Sequence, residues 1–319
     1  MLKEKISNDH IHRILQEYLR ENNKFYEIAS CRGGFFNTTL RVKLKDHREI
    51  IIQISPSEDK DVFWHERSML QREVYFLKFL QAHSFPVAKV LYHDFYKKII
   101  GREYIILESL KGHNWYYFSK KLSILQNQSL YRELGEYARK IHAIGGETSF
   151  GFPKPYKKFK KWGEFFLEYT KNLDLHNEKY GLVDIDGLTP YGIGRQLIGS
   201  LDQIDTAKLI HGDLWPRNIL LSKKGNDFYI SGILDWERGC WGDPRFEWVL
   251  QCMNYGKSFW NAYGVSSKPS KDFLIRDKLY KACFIYQAAL EEIYHFNKKE
   301  KAHNMIRQMQ DVIRPIMKI

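Results

Sequence analysis

Cysteine is scarce and unpatterned in this chain. Its four cysteines, Cys31, Cys240, Cys252 and Cys283, form no CxxC pair and keep no regular spacing, which excludes a cysteine-based zinc site and a disulfide framework and points to a reducing compartment. Long hydrophobic runs are missing as well. No window approaches the roughly 18 consecutive apolar residues of a membrane span, and the N-terminal MLKEKISNDHIHRI has no apolar signal core. The expectation is a cytoplasmic protein with no membrane partner. Internal repeats and low-complexity segments are also absent, so the chain reads as ordered nearly throughout.

What is present is apolar and basic. The 319 residues are 44% hydrophobic and 15% aromatic, enough apolar surface for two sizeable lobes. Net charge is +12 with an isoelectric point near 9.3, a balance that suits a nucleic acid, an anionic lipid surface or a polyanion such as a nucleotide. The densest basic stretch, PYKKFKKW at 155–162, interleaves lysines with aromatics, as single-strand binders do. No nucleic-acid motif accompanies it, so it reads as a solvated loop and helix start, and no nucleic-acid partner is expected.

Periodicity divides the chain. Apolar positions at Ile11, Ile14, Leu15, Tyr18 and Leu19 predict a helix over 9–22, with Asp9 as its cap. From 26 to 54 the pattern becomes that of strands, YEIAS, TTLRVKL and IIIQI, joined by the turns CRGGFFN and KDHRE. A helix over 65–82 and two further strands, in VAKVLYHDF and EYIILESL, follow. Beyond Gly112 the character is mainly helical, with runs at 130–144 and 271–297 and a last helix after them. This change sets the expected boundaries, 1–108, 109–112 and 113–319, to which the family resemblance given below assigns an N-terminal nucleotide-binding lobe, a hinge and a C-terminal catalytic and substrate-binding lobe.

The chemistry concentrates in LIHGDLWPRNILL, 209–221, where a polar cluster interrupts two aliphatic runs. The chain continues through a short strand, a Lys-Gly-Asn turn and a second strand ending at Asp235, so a hairpin should bring Asp213, Asn218 and Asp235 to a common point. A hard cation such as Mg2+ suits one carboxylate and one amide oxygen as the protein's share of its ligands. The other carboxylate is left to act as a base.

HGDLWPRN followed by ILDWE and GDP resembles the aminoglycoside phosphotransferase-like family, protein-kinase-fold enzymes that phosphorylate small molecules, many of them antibiotics. The resemblance implies an α+β, protein-kinase-like bilobal fold: an N-terminal antiparallel β-sheet lobe with a helix, and a larger mainly helical C-terminal lobe. It implies Asp213 as catalytic base, Asn218 and Asp235 as Mg2+ ligands, and His211 and Gly212 as residues that shape the loop. In CRGGFFNTTLRV, Gly33 and Gly34 are similar to the family's phosphate loop, where glycines let N–H groups approach phosphates. Glu73 matches the family's helix glutamate, and Leu107, Glu108 and Leu110 its hinge.

One departure stands out. The strand IIIQISP puts Gln53 where the family carries a lysine or arginine that contacts the nucleotide phosphates; Arg41 and Lys43 are the candidates to replace that charge. Glu237 is a candidate contact for a cationic substrate. Asp243, followed by Pro244, reads first as a helix N-cap and second as a substrate contact. Asp184, Asp186, Glu291 and Glu292 are further acidic candidates. The resemblance implies an ATP- and Mg2+-dependent transfer, with GTP as the alternative nucleotide, to a hydroxyl of a small molecule. The acceptor would be an antibiotic of aminoglycoside, amicoumacin or tuberactinomycin type, and the enzyme, a monomer or dimer, would confer resistance. The alternatives are a metabolic kinase of choline, homoserine, methylthioribose or fructosamine type and a non-catalytic pseudokinase.

Overall fold

The computed structural model describes residues 4–20, 25–31, 36–185, 187–264 and 269–318. The chain opens with α1, Asn8–Leu19, whose Ser7 side chain accepts a bond from the His10 N–H and whose Ile11, Ile14 and Leu15 are buried. Three strands follow: β1 Phe25–Ser30, β2 Thr38–Leu44 and β3 Glu49–Ile54. Helix α2, Met69–Ala82, and strands β4 Val90–Asp94 and β5 Tyr104–Glu108 complete this half. The sheet order is β1-β2-β3-β5-β4, every pair antiparallel.

Period-2 alternation gives the sheet two different faces. Leu40, Val42, Leu44, Ile50, Ile52 and Ile54 point one way and form a small core with α1. Thr39 pairs with Gln53 and Arg41 with Ile51, so these four share the opposite face. That face borders a cavity, while α2 and Leu107 join the large core of the rest of the chain.

The second half contains β6 His113–Asn114, α3 Trp115–Phe118, α4 Ile124–Ala143, β7 Gly145–Glu147, α5 Trp162–Tyr180, α6 Pro190–Gln196 and α7 Ile198–Leu201. Then come β8 Ala207–Ile210, the hairpin β9 Ile219–Lys224 and β10 Asp227–Ile233, β11 Cys240–Gly242, α8 Trp248–Cys252 and α9 Gly256–Tyr263. The chain closes with α10 Lys271–Phe296 and α11 Lys299–Ile313. The architecture is therefore mixed α+β, a sheet half and a mainly helical half. No helix among the described residues is long and apolar enough to cross a membrane.

One local difference from the expected elements has a visible cause. The helix expected over 65–82 is broken: Trp64–Glu66 is a separate 3-10 turn and α2 starts at Met69, because Ser68 sits in the left-handed region at φ 49°. The Glu66 carboxylate, accepting the Phe63 N–H at 3.1 Å, closes that turn on itself. The basic stretch is a loop and helix start whose four lysines are exposed, Lys158 pairing with Glu147 and Lys161 with Asp202, each at 3.1 Å, while Phe159 and Trp162 are buried.

Candidate active site

The loop 211–218 hangs between fully buried anchors, Leu209 and Ile210 before it and Ile219 and Leu221 after it. Its backbone is held from beneath by Glu247, which is 0% exposed. One Glu247 oxygen accepts the N–H groups of His211 (2.9 Å) and Gly212 (3.0 Å), and the other accepts that of Leu214 (3.4 Å). Burial pushes this carboxyl up, but His142, whose Nε2 lies 3.5 Å away, His211 and the loop N–H groups hold it below its ordinary value. A charged acceptor feeding several N–H groups is a strong anchor.

His211 fixes the loop from above. Its Nε2 donates to the Leu234 carbonyl (3.0 Å), and its Nδ1 accepts the Asp213 N–H (3.1 Å). Those two bonds require the neutral ring, and burial pushes His211 down to about 4. Gly212, at φ 80°, could not be another residue: a Cβ there would lie 2.6 Å from the Arg238 carbonyl oxygen.

Asp213 projects from this support into a cavity of about 790 Å3 that both halves of the chain line. Its Oδ2 accepts from Asn218 Nδ2 (2.8 Å) and Trp215 Nε1 (3.2 Å). Burial raises the carboxyl to about 6, against the lowering effect of Arg238 and these donors. The Asn218 amide also reaches the Asp213 carbonyl (2.9 Å), so its nitrogen is committed and its oxygen is the end available to a cation. The β9–β10 hairpin pairs Ile219 with Ile233, and the Leu234 N–H donates to the Asn218 carbonyl at 2.8 Å. The hairpin thus brings Asp235 beside Asn218. Asp235 adopts φ 67°, ψ 61°, a left-handed conformation that costs on the order of 1–2 kcal/mol and is commonest for Asn and Asp after glycine.

Carboxylates crowd here. Asp235 is pushed well up by burial and by Glu237 and Asp213. Glu237, raised to about 8 by burial and by Glu73, accepts a bond from Asn37 Nδ2 at 2.6 Å. Glu73, 2% exposed, is likewise pushed well up by burial and by Asp235, with only the Gln53 amide opposing. Gln53 Oε1 and Glu73 Oε2 are both buried without a hydrogen-bond partner. An excess of buried, mutually repelling carboxylates, with an amide oxygen at Asn218, is a donor set suited to a hard divalent cation.

Of the two cations considered for the place of the missing strand lysine, Arg41 lines the cavity and Lys43 pairs across β3 with Glu49. Leu107, Glu108 and Leu110 also line it. The Glu108 N–H is taken by the Lys89 carbonyl (2.9 Å) and that of Ser109 by the Glu49 carbonyl (3.3 Å). Gly33, Gly34 and Asp186 lie outside the described residues; Phe36 and Asn37, just after the glycines, are on the cavity wall.

Asp243 is not brought to this site. It is 3% exposed and binds Arg276 Nε (3.0 Å), the Tyr280 hydroxyl (2.9 Å) and the Arg245 N–H (3.0 Å). It joins the start of a 3-10 turn to α10, away from the cavity lining, because a buried carboxylate needs its full complement of donors. Glu292 is likewise engaged elsewhere, with Lys298 at 3.1 Å and Lys301. Residues that the motifs did not single out include Arg238, Trp215, Asn37 and Glu247. Trp215 and Asn37 lie inside the motifs HGDLWPRN and CRGGFFNTTLRV; Arg238, one residue beyond ILDWE, and Glu247 carried no such signal.

The chain matches the phosphotransferase enzyme family over residues 27–266. No curated protein sequence matches it. Among solved structures it is similar to the aminoglycoside phosphotransferase APH(2'')-IIa in a ternary complex with streptomycin and ATP, at 16% identity and a TM-score of 0.62, covering 97% of each chain. The ADP-bound aminoglycoside phosphotransferase APH(2'')-Ib is similar at 17% identity and 0.62, covering 96% of this chain and 98% of that one. A thermostable mutant of aminoglycoside phosphotransferase APH(4)-Ia in its apo form is similar at 12% and 0.66, covering 95% and 98%. These likenesses give the fold, and the family match covers most of the sequence: the chain belongs to the phosphotransferase enzyme family.

Proposed function

We propose that this phosphotransferase is an ATP- and Mg2+-dependent kinase acting on a hydroxyl of a small molecule. The observation that carries this reading is the meeting of Asp213, Asn218 and Asp235 at one end of a hairpin, on the wall of a cavity that also reaches Leu110. At about 790 Å3 the cavity lies in the upper part of the range for small-molecule sites, which suits a nucleotide and an acceptor together.

In the reaction we assign, the acceptor oxygen attacks the γ-phosphorus, the bond to the β–γ bridging oxygen breaks, and ADP leaves. Asp213 takes the proton from the acceptor hydroxyl. Trp215 and Asn218 aim its carboxylate, and Glu247 and His211 hold the loop, so little reorganisation is needed at the moment of transfer. Asn218 Oδ1 and the Asp235 carboxylate are the donors for Mg2+, which when bound offsets the phosphate charge. With the Glu108 and Ser109 N–H groups engaged, the Leu110 N–H is the donor we assign to the base edge of the nucleotide. Gly33 and Gly34 are assigned to the phosphates. Gln53 gives them an uncharged donor, with Glu73 beside it, and Arg41, on the same sheet face, is the cationic replacement we assign.

We take 1–108 and 113–319 as the two lobes, joined by 109–112, and Glu237 as the side chain that meets an acceptor amine. An antibiotic is the acceptor class carried forward from the family resemblance, and resistance its consequence. The test is an ATP-consumption screen over antibiotics and metabolite alcohols. Consumption that depends on one compound and on Asp213 supports the reading; ATP neither bound nor consumed under any condition contradicts it.

A further inference from the structure

Outside the catalytic loop, a second cluster reaches the same cavity. His65 and Glu66 end the 3-10 turn ahead of α2, and Glu291 and His295 lie four residues apart on one face of α10. His65 Nε2 is 3.2 Å from Glu291 Oε1, and His295 Nε2 is 3.0 Å from Glu66 Oε1. His65 Nε2 and one oxygen from each of Glu66 and Glu291 all lie within 4.8 Å of one another. His65 and Glu66 are each 4% exposed, and Glu66 and Glu291 reach the cavity wall.

Both carboxylates have further partners: Glu66 accepts the Phe63 N–H on Oε2 at 3.1 Å and faces His295 on Oε1, and Glu291 Oε1, the oxygen that faces His65, also accepts Gln287 Nε2 at 2.7 Å and Arg238 at 3.4 Å. Two separate ion pairs would not need an imidazole and two carboxylates to converge on one point. Ligands of a bound metal do, and they carry outer partners of this kind. Around zinc, bonds of about 2.0–2.2 Å put tetrahedral ligand atoms roughly 3.4 Å apart. The His65–Glu291 pair, at 3.2 Å, already stands near that spacing, and a pair at the 4.8 Å limit closes with a shift of about 1.4 Å.

We propose that His65, Glu66 and Glu291 form a site for one divalent transition cation of the zinc class, with His295 orienting Glu66 and an open position toward the cavity. The imidazole donor selects such a cation over Mg2+, which prefers oxygen alone, so the site is chemically distinct from Asn218 and Asp235. A cation here would tie α10 to the turn that precedes α2 and fix one wall of the cleft. The proposal stands whether or not the kinase assignment does.

Its test is calorimetric titration of chelator-stripped full-length protein with zinc chloride in excess Mg2+. One equivalent should bind, with a rise in the thermal midpoint, and His65→Gln and Glu291→Gln should each weaken binding roughly tenfold or more, while Asp235→Asn leaves it unchanged. His65→Gln keeps a donor toward Glu291, and the zinc-free thermal midpoint reports whether each variant folds. Cobalt(II) gives a readout on the unmutated protein: visible absorption bands at one equivalent, removed by zinc. No stoichiometric zinc binding, no cobalt bands, or variants that bind zinc as tightly as the parent would overturn the site.

Discussion

Glu247→Ala should destabilise the protein and misplace its catalytic loop. The carboxylate is fully buried and accepts three loop N–H groups at 2.9, 3.0 and 3.4 Å. Each buried donor left without an acceptor costs about 1–3 kcal/mol. The longest of the three bonds is weak, so the two short ones dominate and the expected loss is about 3–5 kcal/mol. Glu247→Gln keeps one oxygen for two of the N–H groups but turns an NH2 toward the third and removes the charge that faces His142 and His211. It should lose about 1.5–3 kcal/mol, the worth of one charge-assisted bond. Urea denaturation measures both, and steady-state ATP turnover at a temperature where the variants remain folded separates loop geometry from stability. Two variants within about 0.5 kcal/mol of the parent, or a destabilised Ala variant with unchanged turnover, would refute the reasoning.

Gln53→Lys should tighten nucleotide binding by about 1.5 kcal/mol, roughly tenfold, by giving buried Glu73 and the phosphates a charged partner; fluorescent-ADP titration reads it, and unchanged affinity would mean another cation already serves. His211 is neutral in the fold, with its value lowered to about 4 from 6.5. Between those values the unfolded chain binds the proton and the native one does not, so His211 makes stability fall as pH drops from 6.5 toward 4, by up to about 3 kcal/mol, and leaves it flat above 6.5. Denaturation across that window should show a shallower slope for His211→Gln; an identical slope would contradict the assignment. Asp235→Asn should raise the Mg2+ concentration needed for half-maximal turnover while lowering the rate, and an unchanged Mg2+ requirement would remove Asp235 from the ligand set.

Much of this site was legible because it is local. Alternating apolar residues around a glycine turn specify the β9–β10 hairpin, and once its register is set by Ile219 opposite Ile233, the residues flanking it must meet. The sheet face was legible for the same reason: alternation assigns Leu40, Val42, Ile52 and Ile54 inward and leaves Gln53 facing the cavity. Glu247 was not legible, because its partners lie 33 to 36 residues away and nothing in PRFEW marks a carboxylate that will turn under another loop. The start of α2 was misread because periodicity does not sense the left-handed Ser68 that separates Glu66 from Met69. Asp243 offered two readings, and only burial against Arg276 and Tyr280 decides for the structural one.

The most direct test of the central claim is ATP consumption by the parent protein and by Asp213→Ala over one panel of hydroxyl compounds, with nucleotide binding measured on both. Asp213→Ala should bind ATP as the parent does and lose about 10²- to 10⁴-fold in acceptor-dependent turnover. Parent-level turnover by Asp213→Ala would contradict it.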